Sequence, residues 1–140
     1  MMKSKQPRGV RNNNPGNIDY KKNNHWKGQL THDPSVESRF CRFETVEYGI
    51  RALILLLRTY RRKYGLTTVS QLIGRWAPKN ENNTIVYIQN VANELGVSPT
   101  EIIDLDNKTI AINLAKAIVQ HENGLQPYGI GTFEKAWELL

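Results

Sequence analysis

Residues 45–65 read TVEYGIRALILLLRTYRRKYG, and this stretch decides the fold class. Val46, Ile50, Leu53, Ile54, Leu57, Tyr60 and Tyr64 recur at spacings of three and four, the apolar stripe of one long helix. Thr45 can cap its start, and Gly65 can end it in the left-handed conformation. Arg58, Arg61, Arg62 and Lys63 crowd the last turns, where cations suit the negative end of the helix dipole.

Toward the C-terminus the helical pattern continues. Val69, Leu72, Ile73 and Trp76 predict a helix from Thr68, stopped by Pro78. Another is predicted over residues 83–95, with Ile85, Ile88, Val91, Ala92 and Leu95 inward and Gly96 closing it. Ser98-Pro99-Thr100-Glu101 has capping-box spacing and predicts a short helix. A fifth helix spans residues 108–122, with Ile110, Leu114, Ala117 and Ile118 on one face, and a sixth covers residues 132–140. Toward the N-terminus, residues 9–35 are rich in Gly, Asn and Pro and read as ordered loop. Residues 17–20 and 39–43 are expected to pair as a small hairpin. The expected fold is mainly α: about six helices with a small irregular or β-like lobe near the N-terminus. Residues 1–8 read as a flexible basic leader and residues 9–140 as a single domain.

With 140 residues, 39% of them hydrophobic and 23% charged, the chain can bury a core and is too apolar to be disordered. A single cysteine, Cys41, excludes an intrachain disulfide framework and suits synthesis in a reducing cytoplasm. The longest apolar run, Ala52 to Leu57, is far short of a membrane span. The first residues carry no apolar stretch of the kind a secretory signal needs. The net charge of +6 is uneven. Lys3, Lys5, Arg8, Arg11, Lys21, Lys22 and Lys27 face only Asp19 in residues 1–28, whereas the remainder is balanced. Such a segment suits an anionic partner or a solvated tail.

Several constellations compete for the chemistry. Residues 91–102, VANELGVSPTEI, have helix-turn-helix spacing, but residues 97–107 hold Glu101, Asp104 and Asp106 and no cation. An acidic recognition helix repels phosphate, so nucleic acid is not the expected partner. His25, His32 and His121 lack the short spacing of zinc hydrolases, and neither a metal nor a cofactor is expected. Cys41 lies between Phe40 and Arg42 and reads as a packed residue. Glu122, at the end of an apolar helix, is different. The negative helix end and partial burial both disfavour its anion, which suits a general acid. Glu81 lies near a helix start, where the anion is favoured. Two carboxylates under opposite pressures are what glycoside cleavage uses.

Three strings carry a resemblance: RGVRNNNPGNI at 8–18, RWAPKNENNTIVY at 75–87 and HENGLQPY at 121–128. Together they resemble a set of short phage and prophage virion-type proteins, over about residues 8–129. Residues 75–96 also resemble the closing segment of lysozyme-like lytic transglycosylases, and AKAIVQHENG resembles the string that carries their catalytic Glu. Residues 14–57 resemble the middle of flagellar-type glucosaminidases. The order of blocks is circularly permuted, since the Glu string comes last here. His121 and Asn123 flank Glu122, where the transglycosylase string has Ser after the Glu.

The resemblance implies a lysozyme-like α+β domain that cleaves peptidoglycan between N-acetylmuramic acid and N-acetylglucosamine, as a lytic transglycosylase or a muramidase. It makes Glu122 the general acid/base, with Tyr87 either bonding near the scissile bond or orienting Glu122, and Glu81 as second carboxylate or anchor. Asn13, Asn14, Asn17 and Asn123 would bind saccharide. Trp26, Trp76 and Tyr128 would stack on sugar faces. Peptidoglycan and other virion proteins are the expected partners of a monomer delivered to the wall by a virion, a holin or a secretion machine. The competing expectation is a non-catalytic virion component that binds cell wall or nucleic acid.

Overall fold

A computed structural model describes residues 6–77 and 83–140. Among these, six helices form: α1 (Arg8–Arg11), α2 (Val46–Tyr64), α3 (Val69–Trp76), α4 (Thr84–Leu95), α5 (Lys108–Asn123) and α6 (Ile130–Glu138). The helix boundaries follow their caps. Thr45 accepts from the Tyr48 N–H, and Gly65 closes α2 at φ 65°. Thr68 and Gln71 form a reciprocal capping box on α3. Asn107 caps α5, and Gly124 ends it at φ 73°.

The core gathers around α5, whose Ala111, Leu114, Ala115, Ile118 and Val119 are buried. This helix packs against α1, α2, α4 and α6, while α2 also packs on α3 and α6. Ile50, Leu53, Ile54 and Leu57 of α2 and Leu72 and Ile73 of α3 complete the apolar interior.

Residues 6–45 form an irregular lobe held by side chains bonding to backbone. Asn14 is fully buried: its Nδ2 donates to the Ile18 and Cys41 carbonyls at 3.0 Å each, and its Oδ1 accepts from the Ile18 N–H at 3.0 Å. Glu37 is also buried and accepts a bidentate pair from Arg8 at 2.7 and 2.6 Å, plus the Asn12 amide and the backbone N–H groups of Arg39 and Phe40. Arg8 opens α1 and is thus part of the lobe, not of a loose leader. The lobe meets α2 where Gly49 faces the Asn13 carbonyl; a Cβ there would stand 1.9 Å from that oxygen.

Three expectations need correction. The hairpin does not form, and with it goes the α+β character. Among the described residues there are only isolated antiparallel bridges, two of them in the lobe: Asp19 with Phe40 and Gln29 with Phe43. Residues 39–43 divide their bonds among three segments: Cys41 N–H donates to Ile18 O and Phe43 N–H to Asn12 O, whereas the Arg42 carbonyl accepts from Leu30. None of these pairings continues into a ladder. The short helix from Ser98 is a turn instead, because the Pro99 carbonyl accepts from Ser70 and the Ile103 N–H donates to Thr67. Those bonds extend the chain against the start of α3. Finally, α1 lies in a stretch whose Gly, Asn and Pro content pointed to loop.

Candidate active site

Glu122 and Asn123 occupy the last turn of α5, just before the left-handed Gly124. Asn123 turns inward, and its Nδ2 donates to Val119 O and Pro15 O at 2.8 Å each. The second bond docks the Asn-rich loop onto the end of α5. Close approach is possible because Gly9 leaves room; a Cβ there would come within 2.7 Å of Asn123 Oδ1 and 3.0 Å of Asn17 Oδ1.

Docking brings Asn17 to Glu122. Asn17 Nδ2 donates to Oε1 at 3.0 Å, across a sequence separation of 105 residues. Tyr87, buried on α4, donates its hydroxyl to Oε2 at 2.9 Å. Burial, then the charge of Glu122 and this bond, push the Tyr87 hydroxyl well above its ordinary value, so it stays a protonated donor. The His121 ring stacks on Tyr87 at 3.6 Å, and burial lowers its pKa toward the neutral ring. The two donors fix both carboxylate oxygens, one from the lobe and one from the bundle.

Glu122 lies on the wall of a groove of about 980 Å³ between the lobe and helices α2 and α3. Asn17, Trp26, Phe40, Tyr60 and Trp76 also line it, giving amide and aromatic surface beside one carboxylate. Asp19 reaches the groove too, paired with Arg39 at 2.8 Å.

No family model matches the chain. Over 133 residues it is 38% identical to Protein P5 of Pseudoalteromonas phage PM2, covering 94% of this chain and 80% of that protein. The chain belongs to the Protein P5 family.

In this Protein P5 relative, Asn17, Trp26, Trp76 and Glu122 reach the groove, with Tyr87 directly behind Glu122. Glu81 lies outside the described residues. Asn13, Asn14 and Asn123 do not line the groove. Their amides are spent on backbone carbonyls, which must find donors once buried. Tyr128 is also away from it, edge-on to Phe133 at 6.5 Å. Cys41 is buried, its thiol pushed up to about 11 chiefly by desolvation, which makes it a poor nucleophile. Among the described residues, no three His, Cys, Asp or Glu side chains gather as a metal site, and no helix is long and apolar enough to cross a membrane.

Lys21, Lys63, Tyr64 and Arg75 also stand on the groove wall, a place to which the sequence pattern does not assign them. In the cation cluster at the end of α2, Arg58 donates to Leu105 O and Arg61 pairs with Asp106, so these two tie α2 to the segment before α5. Tyr64 falls on the apolar stripe but is exposed.

Proposed function

We propose that the chain cleaves the glycan strands of peptidoglycan, with Glu122 as general acid and then base. The observation that carries this reading is the Glu122 carboxylate, held at a groove wall by Asn17 and Tyr87 from two distant segments. Both donors come from residues far from Glu122 in the chain, and together they hold its carboxylate at the groove wall.

In the proposed reaction, protonated Glu122 gives its proton to the glycosidic oxygen as the C1–O bond breaks, and positive charge develops at C1. The 6-hydroxyl of the same muramic acid then attacks C1 and returns its proton to Glu122, leaving a 1,6-anhydro end. Water attacking instead gives a reducing end. We favour the anhydro route because it needs one carboxylate, and Asp19, the other described acid in the groove, is neutralised by Arg39. The lysozyme-like reading with circularly permuted order is part of this proposal. So is delivery to the wall by a virion, a holin or a secretion machine, in keeping with a phage relative.

Wild-type protein should lower the turbidity of a purified peptidoglycan suspension, and Glu122→Gln should not. Mass spectrometry of the released fragments should find anhydro ends. Equal clearing by both proteins would remove Glu122 from the chemistry. The competing reading, a virion component that binds wall or nucleic acid without cutting, draws on the phage relative and the groove cations. It predicts no clearing by wild type at any pH.

A further inference from the structure

One side of the groove has no role in the cleavage chemistry. Asn17 adjoins Gly16, which packs so closely on Trp76 that a Cβ would lie 2.9 Å from its ring. Trp76 meets Tyr60 edge-on at 6.3 Å. Beyond them, the Arg75 guanidinium stands 5.2 Å from the Tyr60 ring and 3.9 Å from the Tyr64 ring, with the Lys63 ammonium 5.9 Å from Tyr64. Tyr60, Lys63 and Tyr64 share one face of α2 by their spacing of three and four, and Arg75 reaches them from the last turn of α3. The groove thus runs from Glu122, over aromatic surface, to the Arg75 and Lys63 end, with Asp19, Arg39 and Lys21 along its lobe side.

Among the described residues, no carboxylate pairs with Lys63 or Arg75. Stacking on tyrosine faces restrains the guanidinium while leaving its N–H edge to bind a planar anion. Peptidoglycan has neutral sugars along its chain and free carboxylates on its stem peptides, which matches this order of surfaces. Single-stranded nucleic acid matches less well, because it carries a phosphate at every residue and would lie against Glu122 as well.

Resting on the glycan-cleavage reading, we propose that Arg75 and Lys63 bind stem-peptide carboxylates, so that the groove selects peptide-bearing over bare glycan. The test uses the full chain carrying Glu122→Gln, which keeps the strand uncut. Its binding is measured on immobilised glycan strands before and after enzymatic removal of the peptides. The protein should bind peptide-bearing strands about tenfold more tightly, a difference that rising salt reduces. Adding Arg75→Gln and Lys63→Gln should abolish the preference without changing affinity for bare strands or the melting temperature. Arg75→Lys should keep part of it. Equal affinity for the two strands, or an equal loss on both in the Arg75→Gln Lys63→Gln protein, overturns the inference while leaving the cleavage reading standing. No binding to either strand overturns both. Tight binding of an oligothymidylate, lost with the same two substitutions, would reassign the cations to a polyphosphate.

Discussion

The lobe of residues 6–45 and the helical bundle that follows hold their shapes by different means. The bundle is built from apolar burial: Leu53, Leu57, Leu72, Leu114 and Ile118 are all inaccessible to solvent. The lobe buries Ile18, Cys41 and Phe43, but its path is set by Asn12, Asn14 and Glu37, buried polar groups that bond to backbone, to Arg8 or, in the case of Asn12 and Glu37, to each other. Apolar contacts are non-directional, and a loss is shared among neighbours. A buried amide fixes one backbone path, and its loss leaves specific groups without partners. The groove between the two regions therefore has one wall that tolerates repacking and one that does not.

Asn14→Ala should show this most strongly. It strands the Cys41 carbonyl and the Ile18 N–H and takes one of two donors from the Ile18 carbonyl, at a cost of about 4 kcal/mol by the usual penalty for buried unpaired groups. Amide exchange should accelerate first in the lobe, with the bundle still protected; uniform acceleration would show that the two regions unfold as one unit. Leu114→Ala should cost about 3 kcal/mol, the cavity penalty of a fully buried leucine, and chemical denaturation would measure it. Peptidoglycan binding should survive in that variant at temperatures below its melting point.

The smallest effect concerns acid. The Arg8 guanidinium holds the Glu37 carboxyl well below the usual carboxylate range, with backbone N–H groups and Asn12 adding to it. A carboxyl depressed in the folded state contributes stability above its unfolded pKa, and that contribution fades as pH falls toward the folded value. Arg8→Gln should therefore lower stability at neutral pH, by an amount that shrinks as pH falls, and move the acid-unfolding midpoint, followed by circular dichroism, to higher pH. An unmoved midpoint would mean that the lobe does not depend on this carboxylate.

The same division governs what could be read from sequence. Helix α2 is legible because its stripe, its Thr45 cap and its Gly65 stop are local and agree. The turn at Ser98 is not, because its capping pattern is overruled by residues 67–70, which no local rule brings near. Asn14 and Asn17 look alike in NNNPGN, yet one is spent on backbone and the other reaches Glu122. Their fates depend on where the loop docks. Glu122 stands out in the sequence by its place at the end of an apolar helix, and the structure puts it on the groove wall. Arg75 does not stand out, since its pairing with Tyr64 exists only where two helices meet.

The bond from Asn17 to Glu122 spans 105 positions of the chain, and the one from Asn123 to Pro15 spans 108. Contacts that distant close late in folding, because the loop between them must be ordered first. Glu122 thus meets the loop that orients it only after α2, α4 and most of α5 exist. A chain interrupted anywhere before its fifth helix carries no oriented carboxylate. The orientation of this one carboxylate therefore depends on closing nearly the whole described chain into a loop.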